Sequence, residues 1–167
     1  MKRLVLAAFL ALAPAVASAQ SLVIFVRHAE RADGGAAANT GMTGKPADPL
    51  PSAAGEARAA KLATMLADSG IKAIYTSEFR RTQDTGKPLA AKLGLTITPV
   101  ASSDVNVLIQ KIKTEHPKDA VMIVGHSNTI PAAIKAFGGP DVKMADDEYS
   151  AIYILSPASG AMTLIRF

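Results

Sequence analysis

Three places in this chain put arginine or histidine side chains shortly after apolar runs. Arg27-His28 follows Leu22-Val23-Ile24-Phe25-Val26, and Gly125-His126 follows Ala120-Val121-Met122-Ile123-Val124. Ser77-Glu78-Phe79-Arg80-Arg81-Thr82 comes after a third run, Ile71 to Tyr75. A neutral imidazole nitrogen can attack phosphorus, and a guanidinium fork matches the oxygens of a phosphate dianion. Gathered in one crevice with no comparable acidic cluster to cancel them, two imidazoles and two or more guanidiniums would form a cationic pocket.

The elements that must do the gathering are readable from periodicity. Short β-branched runs alternate with longer Ala/Leu stretches, the pattern of an α/β three-layer sandwich with a mostly parallel central sheet flanked by helices. In such sheets the ligand crevice lies at the carboxyl ends of the strands, which is where His28 and His126 fall. Ser52 caps a predicted helix running to about Ser69, with Ala57, Ala60, Leu62 and Leu66 on its apolar side and Gly70 stopping it. A second helix leads from Thr76-Ser77 to Gly94, interrupted around Gly86-Lys87-Pro88, and Leu95 to Val100 is extended. Helices are expected over Asp104–His116 and from Ser127 to Phe137. Ala151–Leu155 and Met162–Arg166 alternate as a terminal hairpin. Asp33 to Pro51 reads as one long loop.

Residues 1–19 read as a secretory signal: Lys2 and Arg3, an apolar run from Leu4 to Ala13, then Ala17-Ser18-Ala19. Cleavage after Ala19 would leave residues 20–167 as one domain, periplasmic or secreted, and no later segment is apolar enough to span a membrane. Two of the 18 Lys and Arg lie in the leader, which leaves 16 against 14 Asp and Glu. With no tryptophan and scattered basic residues, the electrostatic footprint of a nucleic-acid partner is missing. There is no cysteine and there are three histidines. Positive side chains can do a cation's work in the pocket, so neither a metal nor another cofactor is expected.

Four segments together resemble the histidine phosphatase (phosphoglycerate mutase-like) superfamily. Arg27-His28-Ala29-Glu30 is similar to its Arg-His-Gly-Glu signature, and Leu50-Pro51-Ser52-Ala53-Ala54-Gly55 to its Leu-Ser/Thr-x-x-Gly helix start. Ser77 to Thr85 is similar to Ser-x-x-x-Arg-x-x-x-Thr, aligning Arg81 with the phosphate-binding arginine, and Gly125-His126-Ser127-Asn128 to Gly-His-x-Asn. The resemblance implies a phosphoglycerate mutase-like fold and a phosphatase acting through a phosphohistidine on His28. Arg27, Arg81 and His126 would hold the equatorial oxygens, helped by Ser127 and the helix amides that follow. The leaving-group acid of mutase-type relatives would correspond to Asp104. Substrates with good leaving groups, such as phosphoramidates or acyl phosphates, need that acid less.

Other residues read as structural. Glu30 is expected to pair with an arginine or a loop amide, Arg80 to face solvent while Arg81 turns inward, and Asn128 to order its turn. Arg31, Lys45 and Arg58, His116, and Asp146-Asp147-Glu148 read as solvated. A serine-hydrolase elbow at Ser127 fails, because Thr129 stands at its last glycine position and no histidine follows. Two alternatives remain open, a phosphomutase and a non-catalytic phosphate-binding module. The expected partner is a phosphorylated small molecule or phosphoprotein, met by a monomer or weak dimer. If His28 acts neutral and His126 protonated, the rate should be bell-shaped across the imidazole range.

Overall fold

The structure is a computed structural model that describes residues 22–34 and 48–167. The signal-like leader and most of the Asp33–Pro51 loop, Lys45 included, lie outside the described residues. Ten elements follow in order: β1 Leu22–Arg27, α1 Ala53–Met65, β2 Ile71–Thr76, α2 Arg80–Leu93, β3 Ile97–Pro99, α3 Val105–Glu115, β4 Ala120–Gly125, α4 Thr129–Ala136, β5 Ala151–Ser156 and β6 Ala161–Arg166. The sheet order is β3-β2-β4-β1-β5-β6. The first four strands are mutually parallel, and the β5–β6 hairpin adds antiparallel to β1.

The near-continuous apolar runs of β1 and β4 are buried on both faces, as central parallel strands must be. One face carries Val23, Phe25, Val121 and Ile123 against Ile109 and Ile112 of α3 and Ile130 and Ile134 of α4. The other carries Ile24, Val26, Met122 and Val124 against Leu62 and Ala63 of α1 and Leu89 and Ala90 of α2. The three layers expected from periodicity are therefore present. The chain leaves β1 toward one face and its neighbour β4 toward the other. A crevice opens at the carboxyl end of such a pair.

Several boundaries differ from the sequence reading. Gly55, Ala59, Leu62 and Ala63 are the buried residues of α1, while Ala57 and Ala60 are exposed. Alanines on every face give the helix no clear stripe, so packing chooses the face. The α2 helix is continuous through Pro88. A proline inside a helix costs about 3 kcal/mol. Burial of Thr82, Thr85, Gly86, Leu89 and Ala90 on that helix offsets the loss, since a fully buried Leu alone is worth about 1.5–3 kcal/mol. Strand β3 is cut to three residues, and Asp104 and His116 cap α3 rather than extending it.

Gly55 fixes how α1 meets the loop after β1. Ser52 Oγ accepts from the Gly55 N–H at 3.1 Å, and a Cβ on Gly55 would sit 2.4 Å from the Glu30 carbonyl oxygen and 3.2 Å from Pro51 Cβ. Backbone is the obstacle, so a side chain there must displace the His28–Glu30 segment. Gly55→Ala is expected to cost about 1–3 kcal/mol, read as a lowered urea midpoint at unchanged m-value.

Candidate active site

Strand register brings the histidines together. Arg27 of β1 lies opposite Gly125 of β4, and the His28 N–H closes the pair by donating to the Gly125 carbonyl at 3.0 Å. The residues after each strand, His28 and His126, therefore emerge side by side with ring centroids 5.2 Å apart at 61°. Thr76 of β2 pairs with Val124 of β4, so the Ser77–Arg81 segment starts at the same edge.

Two parallel stacks wall the pocket. The Arg27 guanidinium lies 4.2 Å over the Tyr149 ring, whose centroid is 5.9 Å from that of His28. Arg81 lies 4.2 Å over the Phe79 ring, which meets His126 edge-on at 5.4 Å. Each aromatic ring holds a guanidinium by cation–π attraction and abuts one imidazole. Both arginines are nearly buried, 9% and 8% exposed, so their charge is poorly screened. Arg27 donates from Nη1 to the Ala145 carbonyl at 3.1 Å, and its buried Nε has no hydrogen-bond partner among the described residues. Arg81 meets Asp48 at 3.5 Å.

His28 is oriented by its own backbone. Its Nδ1 lies 2.8 Å from the Ala29 carbonyl, which can only accept, so the proton is on Nδ1 and the Nε2 lone pair is free. The Ala29 N–H donates to Thr85 Oγ1 of α2, which fixes that carbonyl's peptide neighbour in turn. Burial lowers the His28 pKa to about 3, opposed by the Ala29 bond and reinforced by His126, Arg27 and Arg81. Burial also lowers His126 to about 4, with Arg81, Arg27 and Arg31 adding repulsion. Both rings are neutral in the resting site at pH 7.

Arg27, His28, Arg81 and His126 thus share one crevice, and Arg80 is exposed while Arg81 is buried. Ser127 reaches the rim, where its hydroxyl donates to Asp146 at 2.7 Å. Asp104 is exposed and accepts from Ser103 at 3.1 Å. Among the described residues no hydrogen bond or ion pair joins it to the four converging groups. Glu30 binds Arg58 through both carboxylate oxygens at 2.7 and 2.9 Å, so Arg58 is a structural tie rather than a solvated charge. His116 pairs with Asp119 and lies edge-on to Tyr75. The 146–148 turn is not merely solvated, since Asp146 holds Ser127 and Glu148 holds Ser150 and Arg166.

Tyr149, Phe79, Ser77 and Thr82 escaped the sequence reading as site residues. Tyr149 was findable in principle, because a hairpin strand antiparallel to β1 must begin beside that strand's carboxyl end. Tyr149 lies two residues before β5, whose Ile152 pairs with Val26. Among the described residues no group of three or more His, Asp or Glu could hold a metal ion.

A family model for the histidine phosphatase superfamily (branch 1) matches residues 23–104. The chain belongs to the histidine phosphatase superfamily. The half bearing His126 lies beyond the matched residues, and its place beside His28 follows from the strand register. No curated protein matches the sequence. Among solved structures, a mycobacterial glucosyl-3-phosphoglycerate phosphatase bound to VO3 superposes with a TM-score of 0.63 at 15% identity, over 87% of this chain and 97% of that one. A protein proposed to be the phosphohistidine phosphatase SixA of Agrobacterium tumefaciens gives 0.62 at 21% identity, over 89% and 97%. At these identities the likeness is one of fold, and the six-stranded sheet flanked by helices matches the phosphoglycerate mutase-like fold of these neighbours.

Neutral buried histidines make the fold acid-sensitive. An unfolded imidazole takes up its proton near pH 6.5, whereas His28 and His126 resist protonation down to about 3 and 4, so the unfolded state binds more protons between these limits. Stability is then unaffected by these rings above pH 6.5 and falls as pH drops from 6.5 toward 4. The expected loss is on the order of a few kcal/mol, read from urea midpoints, and replacing both histidines by Asn should flatten it.

Proposed function

We propose that this histidine phosphatase hydrolyses a phosphate ester or phosphoramidate without a metal, through a phosphohistidine on His28. The observation that carries the reading is the state of His28. Its Nδ1 proton is held by the Ala29 carbonyl, its Nε2 lone pair is free, and it faces a pocket flanked by Arg27 and Arg81. A neutral nitrogen with one fixed proton is the form that can attack phosphorus. The buried guanidiniums would take the charge of the equatorial oxygens as the phosphoryl group moves, and water would then release it from His28.

The leaving group narrows the substrate class. Among the described residues no carboxylic acid able to protonate an alkoxide is in contact with His28, and the carboxylates at the rim, Asp48 and Asp146, are held by Arg81 and Ser127. That inventory favours phosphoramidates, acyl phosphates and aryl phosphates, whose leaving groups need little help, over alkyl esters. It leaves Asp104 a rim residue in this reading unless substrate draws it inward. The leader-like residues 1–19 support action in the periplasm or outside the cell, which amino-terminal sequencing of the exported protein would check by finding Gln20 first.

Expected results are specific. An aryl phosphate should be hydrolysed in the presence of a chelator, with alkali-quenched enzyme carrying label from substrate in a bond that survives base and is lost in acid. His28→Ala should lose both activities by a factor of about 10⁴ or more. Asp104→Asn should leave aryl phosphate turnover within about threefold. Full hydrolysis by the His28→Ala variant, or tight phosphate binding with no trapped phosphoenzyme, would overturn the proposal in favour of another nucleophile or of a binding module.

A further inference from the structure

We infer that Ser77 and Thr82 are positioning residues that hold His126 in its Nε2–H tautomer, so that phosphate enters the pocket together with one proton, received at Nδ1. This deepens the phosphatase reading and rests on the same pocket.

A proton count carries it. His126 Nε2 lies 2.8 Å from Ser77 Oγ, Ser77 Oγ lies 2.8 Å from Thr82 Oγ1, and Thr82 Oγ1 lies 2.7 Å from the Phe79 carbonyl oxygen. Each of these three contacts needs one proton between its atoms. The two hydroxyls supply two, and the carbonyl can supply none. The third must come from the ring, so the chain runs Nε2–H to Ser77, Ser77 O–H to Thr82, Thr82 O–H to Phe79. Reversing it would leave two oxygens facing each other at 2.7 Å with no proton between them, a repulsive contact in a buried place, since Ser77 and Thr82 are 6% and 0% exposed. The His126 N–H is separately held by Thr129 Oγ1 at 3.0 Å, which pins the backbone beneath the ring.

The consequence falls on Nδ1. In the neutral ring it carries a lone pair, and no hydrogen-bond partner for it exists among the described residues. The side chains around this ring are cationic or neutral: Arg81 from α2, Arg27 from the end of β1, Arg31 from the following loop, and His28 at 5.2 Å. Asp48 and Asp146 at the rim are engaged by Arg81 and Ser127. An empty pocket therefore disfavours a second proton on His126. A phosphate monoester dianion reverses that balance, yet it has no proton to give the Nδ1 lone pair. One proton must accompany it, either from solvent or as the acidic proton of a monoanion. The resulting imidazolium donates Nε2–H to Ser77 and Nδ1–H to a phosphate oxygen. When product phosphate departs, that proton leaves Nδ1 and the ring returns to its neutral form.

The test reads ring nitrogens by ¹⁵N NMR on the full chain at pH 7, with sulfate as a dianion that carries no proton and transfers no group. In the free protein His126 should show a protonated Nε2 and an unprotonated Nδ1, and saturating sulfate should protonate both. Sulfate affinity should weaken about tenfold per pH unit from pH 6.5 to 8, the linkage expected for one proton taken up. Thr82→Val keeps the volume and frees the Ser77 hydroxyl to donate to the ring. It should move the free ring toward the Nδ1–H form and flatten the pH dependence. Ser77→Ala, the second variant, should likewise lose the Nε2–H preference. A wild-type ring protonated at Nδ1, an unchanged tautomer in both variants, or a wild-type sulfate affinity independent of pH would overturn the inference. None of these readouts needs turnover, so they fail separately from the phosphohistidine reading, which phosphoenzyme trapping tests.

Discussion

The parallel pairing of β1 with β4 governs this molecule's chemistry. Six register-matched positions end at Arg27 opposite Gly125, and the bond from the His28 N–H to the Gly125 carbonyl carries the ladder one step further. That ladder sets the separation of the two imidazoles. Because successive strand residues alternate faces, a slip of one residue would move each side chain of β1 to the other face and take Arg27 and His28 out of the crevice. The apolar runs before each histidine, buried on both faces, resist such a slip.

Charge is the second constraint, and it follows from the first. Placing two guanidiniums beside two imidazoles in a desolvated crevice makes protonation of the rings unfavourable, which keeps His28 neutral. The aromatic rings of Tyr149 and Phe79 let the arginines remain there without neutralising carboxylates on both. An arrangement of this kind is complementary to a bound dianion and is unsatisfied without one. The protein carries that imbalance as acid sensitivity of its fold.

Hydrogen-bond inventories then settle what charge alone does not. His28 is fixed by a carbonyl that can only accept, and His126 by a hydroxyl chain that ends on another carbonyl. The two rings consequently present different nitrogens to the pocket, Nε2 from His28 and Nδ1 from His126. Equivalent residues in sequence become unlike groups in space.

The layered architecture and the four converging groups were legible in the sequence, because long β-branched runs followed at once by Arg-His, Gly-His or a Ser-to-Arg stretch leave few placements in a parallel sheet. That Arg80 and Arg81 cannot share a face was readable from helical spacing, and the family resemblance implied that Arg81 is the inward one. Other features were decided by contacts between distant segments: Tyr149 against Arg27 across the antiparallel hairpin, Glu30 bound to Arg58, Ser127 turned to Asp146, and Pro88 tolerated because its helix is buried. Local pattern records which residues a backbone can carry to an edge. Which partners those side chains find there, and hence which nitrogen of each histidine holds its proton, depends on elements far apart in the chain and exists only once they pack.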